Sequence, residues 1–210
     1  MIRVLVSDFG GVLTTPLEGS FRAFAQDAGI GLEDLGAAML AITEREGRNP
    51  LYELEVGAVT EADFLRGLGD ELSARLGRDV DMADFPEAYF RHLDVNVELL
   101  AAMRGWRDGG LRLAMCTNNV REWEPRWRAM LPVDELFEFV VDSAFVGVRK
   151  PDRRIYEIVL ERLGGVPAEE CLFLDDFAHN CEAARELGMT AVHFVATDRA
   201  ISEVEAALAS

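Results

Sequence analysis

Four short stretches of the 210-residue chain carry residue types that can act on an anion. Asp8 follows an apolar run at 2–6 and leads into Phe9-Gly10-Gly11. Thr117 and Asn118 follow a second apolar run at 111–116. Lys150 stands directly before Pro151, and Asp175 and Asp176 follow a third run at 171–174, with Asn180 about one helical turn later. Two carboxylates brought close together repel unless a cation lies between them. Hard carboxylate oxygens suit Mg²⁺, which keeps several waters and often binds substrate phosphate as well. A phosphate dianion would meet the same repulsion, and Mg²⁺ with Lys150 would relieve it. Thr117 and Asn118 supply hydrogen-bond donors for phosphoryl oxygens, and a positioned carboxylate can serve as a covalent nucleophile. Of the 21 basic residues only Lys150 is a lysine, so chemistry that needs a side-chain amine has one candidate.

These groups work together only if the fold brings them to one place. The runs at 2–6, 111–116, 171–174 and 191–195, with a further strand near 139–141, alternate with helical segments at 97–107, 153–163 and 178–187 and a closing helix. Strands alternating with helices predict a parallel sheet covered on both faces, and right-handed crossovers make it a doubly wound, Rossmann-like core. Ligands of such sheets bind beyond the carboxyl ends of the strands, where the four stretches fall.

Residues 15–95 break the alternation and read as all-helical. Phe21, Phe24, Ala25 and Ala28 recur at helical spacing, followed by Leu32, Leu35, Met39, Leu40 and Ile42. Asn49-Pro50 ends that segment, and Thr60-Glu61-Ala62-Asp63 resembles a capping box at the start of another helix. Because this block follows the first strand, it is expected to be an inserted cap. The expected division is 1–14 with 96–210 as core and 15–95 as cap.

Composition narrows the function classes. With 38 acidic against 21 basic residues the formal charge is −17, which argues against a general nucleic-acid partner. The apolar runs are too short to span a bilayer, and no basic region precedes a long apolar stretch, so no signal peptide is expected. Cys116, Cys171 and Cys181 are widely spaced with no CxxC pair. They are expected to be buried free thiols of a cytoplasmic protein. No residue pattern specifies an oligomer.

The segments V-S-D-F-G-G-V-L (6–13), M-C-T-N-N (115–119), V-G-V-R-K-P-D (146–152) and L-F-L-D-D-F-A-H-N (172–180) resemble, in order and spacing, the four motifs of the haloacid dehalogenase superfamily. The opening and closing motifs are similar to the branch holding the soluble epoxide hydrolase N-terminal phosphatase and bacterial sugar-phosphate phosphatases. The resemblance implies a Mg²⁺-dependent phosphatase of a small phosphorylated metabolite, with a sugar phosphate expected from the branch. It implies Asp8 as nucleophile and metal ligand, Asp176 as second metal carboxylate and the Gly10 carbonyl as backbone ligand. Asp175 would act through metal-bound water or by orienting Lys150. Thr117 and Asn118 would hold the phosphoryl group, and Lys150 would balance charge.

One position departs from the pattern. The superfamily's phosphatases mostly carry a second Asp two residues after the nucleophile, to protonate the leaving oxygen; here Gly10 stands there. Positioned acid–base catalysis is worth ~10²–10⁴-fold. Glu53 and Glu55 of the helical block are the candidates to supply it. Each feature alone has a plainer account: a strand-terminal Asp as a turn residue, Thr117-Asn118 or Asp175-Asp176 as helix caps, Lys150 as a solvated loop residue. The four together, at alternating strand ends, point to an anionic-substrate site. A phosphate- or partner-binding protein without turnover is the alternative. Carbon–halogen hydrolysis fits less well, since a metal-free site would not favour extra carboxylates beside the nucleophile. Trp123 and Trp127 are expected to cover core or interface, His179 to be a surface group, and His193 shows no partner.

Overall fold

The computed structural model describes residues 1–210, except the side chains of Leu17, Glu18, Ser20 and Phe21, so the expected apolar role of Phe21 lies outside it. Five strands form one parallel sheet: β1 (Val4–Ser7), β2 (Arg112–Thr117), β3 (Val140–Asp142), β4 (Cys171–Asp175) and β5 (Thr190–His193). Their order is β3-β2-β1-β4-β5. The chain leaves β1 toward β2 and β3, then crosses back to β4, so a topological switch point lies between β1 and β4. In such sheets the crevice at this point takes the ligand.

Alternate residues of each strand feed two cores, as the period of two requires. Leu5, Leu113, Met115, Leu172 and Leu174 pack on one face, continuous with the helical insertion. Val4, Val6, Ala114, Cys116 and Phe173 pack on the other. There they meet Ile155 and Tyr156 of α10 (Arg153–Arg162) and Ala184 of α11 (Ala178–Glu186). Two covered faces explain why these strands read as nearly continuous apolar runs.

Between β1 and α6 (Val97–Asp108) the chain is helical: α1 (Leu17–Asp27), α2 (Leu32–Glu46), α3 (Pro50–Glu55), α4 (Glu61–Leu76) and α5 (Phe85–Arg91). Asn49 caps α3 by accepting from Leu51 N, with Pro50 at the first helical position, where its missing N–H costs nothing. Thr60 Oγ1 accepts from Asp63 N at 3.1 Å, as the capping pattern predicts. The Asp63 carboxylate, however, takes the Thr60 hydroxyl at 2.7 Å. Leu40 departs from the expected apolar face of α2 and is 58% exposed. The rest of the chain supplies α7 (Glu124–Met130), α8 (Val133–Leu136), α9 (Ser143–Val146) and α12 (Thr197–Leu208). The Trp-rich stretch is a 3₁₀ turn at Arg121–Trp123 followed by α7, and the fifth strand stops at His193, two residues short of expectation. All three cysteines are free and buried. No helix among the described residues is long and apolar enough to cross a membrane.

Candidate active site

Parallel register builds the site. β1 pairs β4 with Ser7 opposite Leu174, so the next residue on each strand, Asp8 and Asp175, leaves the sheet at the same level. Asp8 N donates to Leu174 O at 2.8 Å and locks the alignment. Lys150, on the loop before α10, reaches between them: its Nζ lies 2.8 Å from Asp8 Oδ1 and 2.6 Å from Asp175 Oδ2. All three side chains are buried, Lys150 at 1% exposure. An amine removed from water is costly unless paired. Burial alone would lower the Lys150 pKa, but Asp175 and Asp8 outweigh it and raise the pKa, keeping the ammonium.

The two acidic residues of the fourth strand's end differ in their partners. Asp175 Oδ1 accepts from Phe177 N at 2.9 Å and from Asn180 Nδ2 at 2.9 Å, while Oδ2 meets Lys150. Both its oxygens are therefore engaged. Asp176 Oδ1 is buried with no hydrogen-bond partner, and the Asp176 carbonyl lies 2.9 Å from His193 Nε2 on β5. Gly11, at φ +75°, closes the other side. A β-carbon there would collide with Asp176 Oδ2, so only glycine permits both the left-handed turn and the approach. The sequence shows the glycine pair; the contact across the sheet edge, and the partner of His193, appear only in three dimensions.

One oxygen each of Asp8, Asp175 and Asp176 lie within 4.8 Å of one another. Three carboxylates thus face one ammonium. Burial pushes the Asp8 carboxyl up to about 7, with Lys150 pulling down and Asp175 and Asp176 pushing further up. Burial, then Asp175, raises Asp176 to about 6. An all-oxygen donor set with excess negative charge and an orphaned buried oxygen fits a hard divalent cation such as Mg²⁺.

The remaining expected residues fall as follows. Asn118 accepts from Lys150 N at 2.8 Å and donates through Nδ2 to Lys150 O at 3.1 Å. Its amide braces the lysine loop, and the residue lines the cavity. Thr117 is buried, and its hydroxyl lies 3.5 Å from the Asn118 carbonyl. Gly10 lines the cavity with no side chain to offer. Of the two glutamates from the helical block, only Glu55 lines it; Glu53 pairs with Arg48 at 2.8 Å. Glu55 Oε2 meets Arg149 Nε at 2.5 Å, and burial raises its pKa despite that arginine. Arg149 lies over the Tyr52 ring at 3.9 Å, a contact the sequence did not signal. Trp127 is fully buried, as expected. Trp123 also lines the cavity, stacked on Tyr89 with centroids 4.6 Å apart and hydrogen-bonded to Glu61. His179 is exposed at the cavity edge.

A doubly wound parallel sheet with its acid–lysine cluster at the switch point defines a Rossmann-like α/β core of the kind that carries its chemistry on strand ends. The haloacid dehalogenase-like hydrolase profile matches residues 2–188, and the chain belongs to that family. Over 219 residues it is 28% identical to the rat bifunctional epoxide hydrolase 2, covering 97% of this chain and 38% of the relative. The chain therefore spans well under half of that protein. A sesquiterpene phosphatase of Aspergillus oryzae is 27% identical over 204 residues, covering 91% of this chain and 89% of the relative. A HAD family enzyme of Bacteroides thetaiotaomicron shares the fold at TM-score 0.73 and 23% identity, covering 93% and 94% of the two chains. That enzyme has also been solved with magnesium and inorganic phosphate.

Proposed function

We propose that the chain is a Mg²⁺-dependent phosphomonoester hydrolase of a small phosphorylated metabolite, with residues 15–95 as a cap over a core of 1–14 and 96–210. A cytoplasmic setting suits its three buried free thiols. The observation that carries the proposal is Asp8, held 2.8 Å from a buried lysine in a three-carboxylate cluster at the sheet edge. The phosphatase name of the fungal relative and the magnesium–phosphate complex of the Bacteroides enzyme support it.

Asp8 attacks phosphorus through a carboxylate oxygen as the bond to the leaving oxygen breaks, giving an aspartyl-phosphate. Water then attacks that phosphorus, inorganic phosphate departs, and Asp8 returns as carboxylate. Lys150 orients Asp8 and faces the transferring charge, and Asp175 keeps Lys150 in place. Thr117 and Asn118 are the donors to phosphoryl oxygens. Asp8, Asp176 and the Gly10 carbonyl would hold Mg²⁺, which would supply positive charge against the phosphoryl oxygens. Glu55 takes the acid–base role that Gly10 cannot fill: its carboxyl protonates the departing oxygen and takes a proton back from the water. Glu55→Gln is expected to lower kcat by ~10²–10⁴-fold on alkyl phosphates. The loss should be much smaller on p-nitrophenyl phosphate, whose leaving group needs little protonation. Equal losses on both would remove Glu55 from this role.

The direct test is phosphate release from p-nitrophenyl phosphate with Mg²⁺ and with EDTA. Activity that needs Mg²⁺ and Asp8 is expected. Turnover retained by Asp8→Asn in pure protein would overturn the mechanism. Gly10 favours one second reading, phosphate binding without turnover. Silence in that assay alongside measurable binding of inorganic phosphate would select it.

A further inference from the structure

Above the carboxylate–lysine cluster lies a cavity of about 580 Å³. At the sheet edge Asp8, Asn118, Lys150 and Asn180 line it, and Arg149 and His179 add further polar groups. The opposite wall is mostly carbon. The second and third helices contribute Leu35, Met39, Leu51 and Leu54, and the fourth contributes Phe64 and Leu68. The fifth adds Phe85, Tyr89 and Phe90, which pack with Trp123. Among the described lining residues between 15 and 95, only Tyr52, Glu55 and Tyr89 carry a polar side-chain atom. Glu55 pairs with Arg149 and is reserved, on the reading above, for the leaving oxygen, and Tyr52 lies under the same arginine.

We infer, on the phosphatase reading above, that the alcohol half of the substrate is an extended hydrocarbon of about ten to fifteen carbons, not a polyol. Cavities of 300–1,000 Å³ enclose most of a drug-sized ligand, so a chain of that length is accommodated together with its phosphoryl group. A sugar would place several hydroxyls against leucine, methionine and phenylalanine side chains that accept no hydrogen bond. Each hydroxyl left unpaired loses its water without compensation, and a site of this kind rejects such a group because nothing answers it. The sugar phosphate expected from sequence fits this lining poorly. Half-exposed Tyr52 and Phe177 line the same cavity, giving the tail an apolar margin at its open side.

The test is a series of kcat/KM values for ethyl, hexyl and decyl phosphate below micelle formation, with glucose 6-phosphate and p-nitrophenyl phosphate alongside. Each added methylene is expected to raise kcat/KM about fourfold until the cavity is full, and decyl phosphate should exceed glucose 6-phosphate by at least about 100-fold. Met39→Gln and Phe64→Gln, both at partly buried positions, should lower kcat/KM for decyl phosphate at least about tenfold more than for ethyl phosphate. Thermal melts of each variant would verify folding. A flat chain-length series, or a preference for glucose 6-phosphate, with p-nitrophenyl phosphate still hydrolysed, would overturn this inference and leave the phosphatase reading standing. Silence on p-nitrophenyl phosphate as well would overturn that reading, and the inference with it.

Discussion

At the sheet edge, four ionisable side chains crowd into contact within one cluster; across the cavity, the helical wall presents hydrocarbon. The sheet edge is held by hydrogen bonds and ion pairs that fix each oxygen: Asp175 alone has three such partners. The helical wall is held by ring packing, as between Phe85, Tyr89 and Trp123. Directional contacts hold reacting atoms within tenths of an ångström, as chemistry demands. Apolar packing is non-directional and scales with area, so it can favour a long tail without fixing each atom. On the proposed function, the molecule separates the reacting centre from the surface that selects the substrate.

The largest effect that would break this contrast falls on the polar end. Asp8→Asn is expected to lower kcat on the order of 10⁴-fold or more, as loss of a nucleophile does elsewhere, measured by phosphate release at saturating substrate. Lys150→Met should cost about 3–5 kcal/mol of folding stability, because it leaves Asp8 and Asp175 buried without their counter-charge. Urea titration reads it, and a loss under 1 kcal/mol would show that the cluster does not depend on its lysine. Magnesium at 100 times its Kd should add about 2.7 kcal/mol, or about 5–10 °C in Tm for a chain of this size. Asp176→Asn should abolish that gain, and a gain that persists would move the ion elsewhere.

The smallest expected effect sharpens the contrast with a carboxylate outside the cluster. Asp142 ends β3 on the same sheet edge. It caps α9 through Ala144 N, but its Oδ2 is buried without a partner, and burial raises its pKa to about 6. A carboxyl whose folded pKa exceeds its unfolded value binds its proton more tightly when folded. Its contribution to stability is therefore present below pH 3.8, is lost as pH rises to about 6 and stays constant above. Asp142→Asn should stabilise the protein by about 1–3 kcal/mol at pH 7.5, and the gain should shrink toward pH 4. Calorimetry at the two pH values checks it, and an equal gain at both would assign it to packing.

The polar end was legible in the sequence because it is written at strand ends. Apolar runs mark where strands stop, and a parallel sheet carries Asp8, Thr117 and Asp175 to one edge. The helical wall was not. Glu61 bonds Trp123 and Glu55 meets Arg149 across dozens of intervening residues. The lining apolar side chains also share the helical spacing of ordinary core residues, so nothing marks them as facing a cavity. The second task of Asn118 was hidden for a similar reason: its residue type suggests a ligand contact, but not that its amide also braces the backbone of Lys150. Glu53 and Glu55, two residues apart, fall on nearly opposite sides of α3, and the sequence does not show which side faces the cavity.

Lys150 carries a last implication beyond the reaction. It is the chain's only lysine and is 1% exposed, so among lysines and arginines the outer surface carries guanidinium groups alone. Acylating reagents and lysine-modifying enzymes would find no side-chain amine on the folded molecule. Any lysine adduct recovered from it would therefore report that the fold had opened.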